Sequence, residues 1–455
     1  MQVIVAGGGV AGATTALALR RIGAEVTVYE AYADPAGPVG SFLSLAANGL
    51  KGLRALGCLE AVQQAGFDVA RQRLWADTGK LLGDAPRGRP EGEPLHSVTL
   101  ERGRLVETLR ACAADQGARF VTGERLTGAV RDGAGIRARF ASGHTARADL
   151  LVGADGIWSA TRRVLDPAAP EPAYAGFYSV SGVSRGVDVE PGVFNMVFGR
   201  KGAFIYLAAP GGEVWWSAQA ASATPPGPDE AGLDDLRDLY RHEETPSALL
   251  RAATSVRRPT LMHTLATVPV WHDDRIALVG DAWHPVGAGQ GASMAIEDAV
   301  VLARCLAATG DAPTALSASP STGPATAPST TLATALAAYG QARRDRVARM
   351  LKAGDDNRDA KALGPVARRL RNLIMPVVFP FAYERATAWL YDHDRSGPAA
   401  GRPGARRTRV AHAALRTDFS VILLVERTSG GQPANAGMDG CTDHRDAVGA
   451  PVQSA

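Results

Sequence analysis

The sequence has 455 residues, of which 46% are hydrophobic and 21% are charged, so the chain can bury a large core and exceeds one average domain. Its formal net charge of +3 is small for this length and its arginines do not cluster, which argues against nucleic acid as a partner. No secretion signal opens the chain and no apolar stretch is long enough for a bilayer, so we expect a soluble, cytoplasmic protein without stable membrane insertion.

The cysteines are too widely spaced in the sequence for a zinc site or a redox dithiol. The chain has four of them: Cys58, Cys112, Cys305 and Cys441. Zinc ligands and catalytic dithiols come in closely spaced pairs, and the sequence contains no such pair. It therefore predicts free thiols in a reducing compartment and no metal site.

The first thirty residues predict a strand, a helix and a second strand. Residues 3–6 are a short apolar run, and residues 11–22 follow a helical pattern that Gly23 ends. Residues 25–29 again suit a strand. The sequence therefore begins with a predicted βαβ unit, the arrangement that opens nucleotide-binding folds.

Up to residue 173 the pattern continues to alternate, and we assign this part to a nucleotide-binding lobe. The predicted elements are a helical stretch (41–59), a small antiparallel insertion (67–98), a helix (105–116) and strands (118–122, 135–140 and 150–152).

The remainder of the chain divides by composition. The predicted divisions are a β-rich, aromatic substrate lobe (174–270), a return to the nucleotide lobe (271–310) with a strand at 275–279 and a helix at 291–306, a flexible low-complexity insertion (311–334), C-terminal helices (335–394) and a disordered tail (395–455). The apolar run 373–381 contains Pro376 and Pro380, which should prevent a continuous amphipathic helix, so we expect this run to pack on the core.

The first motif is the run GGGVAG at residues 7–12, between the predicted strand and helix. Gly7 permits a tight turn, Gly9 lets the backbone approach a pyrophosphate, and Gly12 lets the helix pack closely on the strand. The helix N-terminus then offers its free N–H groups to the phosphates. Glu30 ends the second strand, where its carboxylate can accept from ribose hydroxyls, so an unphosphorylated dinucleotide such as FAD or NAD fits best.

The second motif begins with Gly280 and Asp281 and continues through residues 289–291, GQG. A buried strand delivers Asp281 to a strand end, where it can bind ribityl hydroxyls, although an acidic cap is the alternative. The helix that starts near Gly291 would direct its N-terminus at a flavin ring and stabilise the negative charge of the reduced form. We interpret Glu297 and Asp298 as structural residues on a solvated helix face.

These two motifs, together with residues 149–156 (DLLVGADG), resemble those of the class A, single-component flavoprotein monooxygenases. That family includes para-hydroxybenzoate hydroxylase and tetracycline-inactivating enzymes. The resemblance spans residues 1–306 and continues at Leu336, Tyr339 and Arg343. It implies an α/β fold with a Rossmann-like FAD-binding lobe, an interleaved β-sheet substrate lobe and C-terminal helices.

The resemblance also implies the reaction. NADPH or NADH binds transiently and reduces bound FAD, O2 adds at flavin C4a, and one oxygen atom passes to an aromatic or polyketide-type small molecule. A flavin-dependent reductase, dehydrogenase or halogenase on the same scaffold stays open, as does a non-catalytic FAD-binding protein. Residues 215–217 (WWS) do not supply the Trp-x-Trp-x-Ile motif of the halogenases. Substrate identity, the choice of nicotinamide cofactor and the state as monomer or homodimer are not specified by the sequence.

Individual roles follow from the resemblance for several residues. Asp281 would bind the ribityl chain, Arg102 would reach the FAD backbone, and Asp155 would lie near the dinucleotide and the passing nicotinamide. Arg162 would hold the segment of Asp155, and a structural role for either is the alternative. No catalytic residue is assigned, because His284 suits packing or hydrogen bonding as well as it suits a base. The predicted cofactor-binding positions are Gly7, Gly9, Ala11, Gly12, Glu30, Arg102, Asp155, Asp281, Gly289, Gln290 and Gly291.

Overall fold

A computed structural model describes residues 1–34, 41–227, 230–286, 289–308, 331–359 and 365–391. Most of the insertion predicted at 311–334 lies outside the described residues, as do the tail predicted at 395–455 and Cys441. Within the described ranges, no helix combines the length and the apolar character needed to cross a membrane.

The strands are numbered in chain order. They are β1 (Gln2–Ala6), β2 (Glu25–Glu30), β3 (Phe42–Leu45), β4 (Phe67–Val69), β5 (Arg71–Ala76), β6 (Leu81–Pro86), β7 (Ser97–Glu101), β8 (Arg119–Thr122), β9 (Leu126–Asp132), β10 (Gly135–Phe140), β11 (Thr145–Ala148), β12 (Leu150–Gly153), β13 (Ala173–Arg185), β14 (Val193–Phe198), β15 (Ala203–Ala209), β16 (Glu213–Ala221), β17 (Ala253–Val256), β18 (Thr260–Thr264) and β19 (Ile276–Leu278).

The α-helices are numbered in the same way. They are α1 (Val10–Arg21), α2 (Ala47–Ala55), α3 (Leu59–Ala65), α4 (Arg102–Asp115), α5 (Ala160–Leu165), α6 (Leu233–Leu239), α7 (Glu244–Arg251), α8 (Gly291–Ala307), α9 (Leu332–Asp359) and α10 (Pro365–Tyr391).

A five-stranded parallel sheet carries the nucleotide-binding lobe. Its strand order is β19-β12-β1-β2-β8. The apolar runs of β1 and β12 are buried because helices such as α1 and α8 cover one face of this sheet and the three-stranded sheet β11-β10-β9 covers the other. The βαβ unit predicted for the first thirty residues is confirmed by the parallel pairing of β1 with β2 around α1. Because parallel strands end at one sheet edge, β1, β12 and β19 bring their following loops together there.

The second large sheet is antiparallel over most of its length and follows the order β17-β13-β16-β15-β14-β5-β6, with β18 paired to β13. Helices α6 and α7 cover one face, where Phe204, Trp216 and Tyr240 form a buried core. The segment 67–98 was predicted as a small antiparallel insertion in the nucleotide-binding lobe, and β5 does pair antiparallel with β6. However, β5 and β6 extend this large sheet, because β5 pairs in parallel with β14, while β4 joins a small sheet with β3 and β7.

The helical stretch predicted over 41–59 is only partly correct. Residues of β3 pair antiparallel with β7, and the helix α2 starts after them at Ala47. Tertiary pairing with β7 therefore overrides the local helical pattern of the first residues in this stretch.

The apolar run 373–381 lies inside α10, which continues across Pro376 and Pro380, so the expectation that these prolines would prevent a continuous helix is wrong. A proline removes the N–H that would bond the carbonyl four residues earlier. Before Pro376 that carbonyl belongs to Asn372, and Lys80 Nζ donates to it at 3.0 Å. Phe379 fixes the helix on β6, because a Cβ at Gly83 would lie 2.5 Å from its ring.

Cys58 and Cys112 form a disulfide, so the prediction of free thiols is wrong for these two residues. Cys58 precedes α3 and Cys112 lies in α4, and packing of α3 against α4 brings them together across a sequence separation of 54 residues. Cys305 is free, as predicted. Sequence spacing alone could not reveal this pair, because a separation of 54 residues matches no known cysteine motif.

We expect reduction of this disulfide to lower the free energy of unfolding by about 2–4 kcal/mol, because the cross-link restricts the unfolded chain. Denaturant unfolding with and without dithiothreitol measures the change. The Cys58→Ser/Cys112→Ser double variant should show no effect of dithiothreitol, which excludes effects of the reductant elsewhere. Two free thiols at these positions in the unreduced, unfolded protein would contradict the assignment.

Candidate functional site

In the glycine loop between β1 and α1, the surroundings of Gly7, Gly9 and Gly12 differ in whether they leave room for a side chain. Gly7 has φ +99°, and a Cβ on it would lie 2.4 Å from the carbonyl oxygen of Ala154. A Cβ on Gly12 would lie 1.8 Å from the oxygen of Gly7. An added Cβ on Gly9 would instead make only an ordinary van der Waals contact, with Nη2 of Arg102 at 3.7 Å. Packing therefore requires glycine at positions 7 and 12, whereas position 9 is open to a ligand.

Glu30 supports this loop from the end of β2. Its Oε2 accepts from the backbone N–H of Gly8 at 2.6 Å, and its Oε1 accepts from that of Tyr32 at 2.9 Å. The side chain is 7% exposed. Both oxygens therefore help to shape the glycine loop, and contact with a ribose stays a prediction.

The start of α1 is arranged for an anion. Its N-cap, Gly9, provides no side-chain hydrogen bond, and the first turn, which includes Ala11, has no acidic residue. The unpaired N–H groups and the positive end of the helix dipole therefore remain available. The guanidinium of Arg102, at the start of α4, adds a full positive charge beside Gly9.

Asp281 follows β19, and at this point the second motif lies against the glycine loop of the first motif. The preceding Gly280 has φ +58°, and a Cβ on it would lie 2.9 Å from Cβ of Ala11. Asp281 is exposed, but protein atoms crowd its carboxylate. The resulting desolvation raises the pKa of Asp281, while the nearby His284 and Arg102 act to lower it. The structure therefore brings the glycine loop and Asp281 together, as the two motifs predicted, with Arg102 beside them.

The N-terminus of α8 lies beside Asp281. A Cβ on Gly291 would be 3.8 Å from Oδ1 of Asp281, and the first turn of α8 has no acidic residue or side-chain cap. Gly289 is exposed with φ +70°. Gln290 is 3% exposed and accepts from Nδ2 of Asn48 at 3.3 Å, so it also anchors α2. A partly negative group placed here would face a positive helix end.

Asp155 lies next to the glycine loop but is occupied by its own segment. Ser159 Oγ donates to its Oδ1, while the N–H and Oγ1 of Thr161 donate to its Oδ2 at 2.9 and 3.0 Å. The carboxylate thus stabilises the start of α5. Its predicted contact with the dinucleotide or nicotinamide stays a prediction.

Arg162 links that segment to the loop of Asp281. Its Nη1 donates to the carbonyl of Ala282 at 3.0 Å and its Nη2 to that of Ile157 at 2.7 Å. Desolvation lowers the pKa of this buried guanidinium, and Asp155 counteracts the shift. Arg162 therefore has the holding role that the resemblance implied.

Glu297 and Asp298 were interpreted as a solvated helix face, and this is wrong because both are completely buried. Nη1 and Nε of Arg343 donate to Glu297 Oε2 and Asp298 Oδ1 at 2.7 and 2.8 Å. Arg346 also binds Glu297, through Nη2 at 2.7 Å. We call Glu297, Asp298, Arg343 and Arg346 the buried ion network. It connects α8 with α9, a partner that the local sequence of α8 does not reveal.

His284 is attached to the buried ion network through Asp298. Its Nε2 is 2.6 Å from Oδ2 of Asp298, and that same oxygen accepts from the backbone N–H of Gly280 at 2.8 Å. Burial alone would raise the pKa of Asp298, but His284 and Arg343 hold it below its ordinary value. The ring of His284 is 1% exposed, so it serves hydrogen bonding and packing around Asp281.

The large sheet offers a second face, in the lobe that sequence analysis predicted as an aromatic substrate lobe without assigning residues to faces. Along β16 the residues Val214, Trp216 and Ala218 are buried under α6 and α7, whereas alternate residues between and after them are only half-buried. Trp215 on this second face contacts Phe42 at 5.8 Å between ring centroids. The available signal was the period of two in β16, where Glu213, Ser217 and Gln219 alternate with apolar residues.

This half-buried face lies close to the glycine loop. Phe42 starts β3 and pairs with Glu101, the residue before Arg102. Glu101 also forms an ion pair with Arg257, whose backbone N–H donates to the carbonyl of Ser181 in β13 at 2.8 Å. The second face therefore adjoins the glycine loop through β3 and β7.

The residues at the sheet edge fit an FAD molecule. The open position of Gly9, the positive start of α1 and Arg102 suit a pyrophosphate. Asp281 suits a polyhydroxyl chain, and the free start of α8 suits the electron-rich edge of a flavin. The observation that most favours a bound pyrophosphate is the open position of Gly9 beside Arg102, in a loop whose positions 7 and 12 are closed by packing.

Comparison with known proteins gives the family. The chain belongs to the family described as FAD binding domain, which matches residues 1–321. It is 34% identical over 335 residues to aurachin C monooxygenase/isomerase of Stigmatella aurantiaca, covering 70% of this chain and 83% of that protein. It is 31% identical over 344 residues to kynurenine 3-monooxygenase of Salinispora arenicola, covering 70% and 75% of the two chains.

Solved structures agree in fold. Klebsiella pneumoniae HpxO complexed with FAD and uric acid has a TM-score of 0.71 at 23% identity, over 88% of this chain and 97% of HpxO. A salicylate hydroxylase substrate complex has a TM-score of 0.68 at 20% identity, over 88% and 99% of the two chains. The predicted fold class and family resemblance are confirmed. The protein is an FAD-dependent monooxygenase, for which NADH or NADPH and O2 are the typical co-substrates.

Proposed function

We propose that this monooxygenase inserts one oxygen atom of O2 into an aromatic or polyketide-type small molecule, using electrons from NADH or NADPH. The observation that carries the proposal is the half-buried face of the large sheet, which presents Trp215 and polar side chains next to Arg102 and the glycine loop. Aromatic side chains beside hydroxyl and amide groups suit a planar ring with polar substituents. The names of the relatives, which include a 6-hydroxynicotinate 3-monooxygenase, support the same substrate class.

The chain's own groups would bind and orient the reactants. The glycine loop and Arg102 would hold the pyrophosphate, Asp281 the ribityl hydroxyls, and the N-terminus of α8 would stabilise negative charge on the ring system. Bound FAD supplies the electron transfer from the nicotinamide and the oxygen chemistry. The sheet face would orient the substrate and exclude water, so no protein acid or base is required.

The assignment of residues 174–270 as the main part of the substrate lobe belongs to this proposal, with β5 and β6 added from the segment 67–98. We further propose that the enzyme works as a monomer or homodimer, and without nucleic acid or a stable membrane anchor. The cytoplasmic location expected from the sequence stays a prediction, and the Cys58–Cys112 disulfide argues against a reducing compartment.

Isotope labelling tests the proposed reaction. The FAD-loaded protein is incubated with NADH or NADPH, 18O2, catalase and separate aromatic acids, phenols and polyketide-type phenols, and products are examined by mass spectrometry. We expect at least one substrate to accelerate NAD(P)H oxidation and to gain one 18O atom. If no compound gains 18O and parallel incubations without catalase return all consumed O2 as hydrogen peroxide, the proposed function is wrong, and a flavin oxidase or reductase activity replaces it.

A further inference from the structure

Helix α10 presents a row of apolar side chains to solvent. Val366, Leu373 and Val377 are between 68% and 77% exposed. The exposed Pro380 continues the same row. These residues share one side of the helix, because their separations follow its period of 3.6 residues per turn. Phe379 packs α10 on β6 from another side, so the row points away from the large sheet. A row of exposed apolar side chains on one helix indicates an interaction surface.

Opposite charges lie near the two ends of this row. Arg369 and Glu384 are exposed, and the helical period places both on the same side of α10 as the apolar residues. The backbone N–H of Glu91 donates to Oε1 of Glu384 at 3.2 Å, and neither charge forms an ion pair within the described part of the chain. We call this surface the outer face of α10, and it consists of Val366, Arg369, Leu373, Val377, Pro380 and Glu384.

Two copies of the outer face match when their helices run antiparallel. A two-fold axis just before Val377 sets Arg369 of one copy opposite Glu384 of the other, because both residues lie equally far along the helix from that axis. The same axis sets Leu373 opposite Pro380 of the second copy and brings Val377 close to its own counterpart. A two-fold interface requires a self-complementary surface of this kind. Two ion pairs would then flank an apolar centre.

Other occupants would be a lipid surface or the apolar run 421–425 of the same chain. Anionic lipids attract basic residues and would repel Glu384. The run 421–425 would cover the outer face within one chain and leave the protein monomeric. A second copy satisfies both ends of the face by symmetry, without any further residue, and the charges therefore favour it.

We propose that the protein forms a homodimer through the outer face of α10, with the two helices antiparallel. This inference goes beyond the proposed function, because it does not depend on the reaction. The outer face is about 27 Å long from Val366 to Glu384, since an α-helix rises 1.5 Å per residue. Because Phe379 fixes α10 on β6, the contact would join the large sheets of the two copies.

Exchange of the two charges tests the contact in the full-length, FAD-loaded protein. Light scattering should give twice the mass of one chain, which is 47.4 kDa. Arg369→Glu and Glu384→Arg each set like charges opposite each other, so each should raise the dissociation constant of the dimer about 10-fold or more. The double variant Arg369→Glu/Glu384→Arg should restore the dimer. Within one helix these residues are about 22 Å apart, so only pairing between two copies explains the restoration.

Cysteine cross-linking tests the position of the axis. In the background Cys305→Ser/Cys441→Ser, mild oxidation of Val377→Cys should join two chains, because this residue lies beside its counterpart. Val366→Cys is the matched control, since Val366 is also exposed but would lie about 31 Å from its counterpart in the antiparallel pair. This control should stay uncross-linked. FAD content and thermal unfolding show that each variant is folded.

Three results would overturn the inference. They are the mass of a single chain at every protein concentration, a dimer that both charge reversals leave intact, and cross-linking through Val366→Cys but not through Val377→Cys. For a monomeric protein, binding to phosphatidylserine vesicles that Val377→Glu abolishes would assign the outer face to lipid. Protection of Val377→Cys from alkylation that is lost when residues 392–455 are removed would assign it to the chain's own end, and both assignments exclude the dimer.

Discussion

Replacing Arg343 with methionine is expected to lower the free energy of unfolding by about 3–5 kcal/mol. Arg343 is 1% exposed and neutralises two completely buried carboxylates, those of Glu297 and Asp298. Methionine fills a similar volume, so the loss would come from the uncompensated charges rather than from a cavity. Denaturant unfolding of the FAD-free protein measures the change directly.

The same substitution should weaken FAD binding, although Arg343 contacts no candidate cofactor residue. Asp298 receives hydrogen bonds from Gly280 and pairs with His284, and these two residues flank the segment of Asp281. Loss of Arg343 would release Asp298 from its fixed orientation, so the Asp281 loop would lose its support. Fluorescence titration of the FAD-free variant with FAD would show a raised dissociation constant.

Two further variants separate the network from a general effect of arginine removal. Arg344→Met changes the neighbouring, exposed residue, which lies 5.0 Å above the Trp271 ring, and should cost no more than about 1 kcal/mol. Adding Glu297→Gln and Asp298→Asn to Arg343→Met should recover part of the lost stability, because no completely buried carboxylate is then left without a cation. Arg346 keeps its charge, and the carbonyls of Trp389 and Leu390 still accept its hydrogen bonds. A loss below about 1 kcal/mol in Arg343→Met itself would show that the network does not stabilise the fold.

The elements that sequence analysis predicted correctly are those determined by local chemistry. The glycine pattern around Gly7 and the acidic strand end at Glu30 lie within the first thirty residues. Together they identify the βαβ unit without knowledge of the rest of the chain. Gly280 and Asp281 are likewise recognisable because a buried strand, a turn and a helix start follow in sequence. Three such motifs in order also define the family.

The features that it missed depend on contacts between distant residues. Asp298 follows an ordinary helical pattern, and only packing of α9 shows that it is buried beside Arg343, 45 residues later. Cys58 and Cys112 show the same limit. The place of β5 is another example, because its parallel pairing with β14 joins two strands that lie far apart in the sequence. Strand order over such separations is not encoded in local periodicity.

The glycines of the first loop should respond differently to the same added methyl group. Gly9→Ala is expected to weaken FAD binding by about 5- to 150-fold, which corresponds to about 1–3 kcal/mol of steric overpacking against the pyrophosphate. The fold itself has room, because the nearest atom to the new Cβ is 3.7 Å away. The FAD-free Gly9→Ala protein should therefore lose less than about 1 kcal/mol of stability, the usual effect at a helix N-cap.

Gly12→Ala should instead destabilise the FAD-free protein by about 3 kcal/mol or more. Alanine in a helix interior is ordinarily more stabilising than glycine. Here, however, the new Cβ would lie 1.8 Å from the oxygen of Gly7, so α1 would have to move away from β1. Denaturant unfolding and FAD titration of both variants give the comparison. Equal stability losses in the two FAD-free proteins would mean that position 9 is also closed by packing, and the open space above Gly9 would then not be the site of the pyrophosphate.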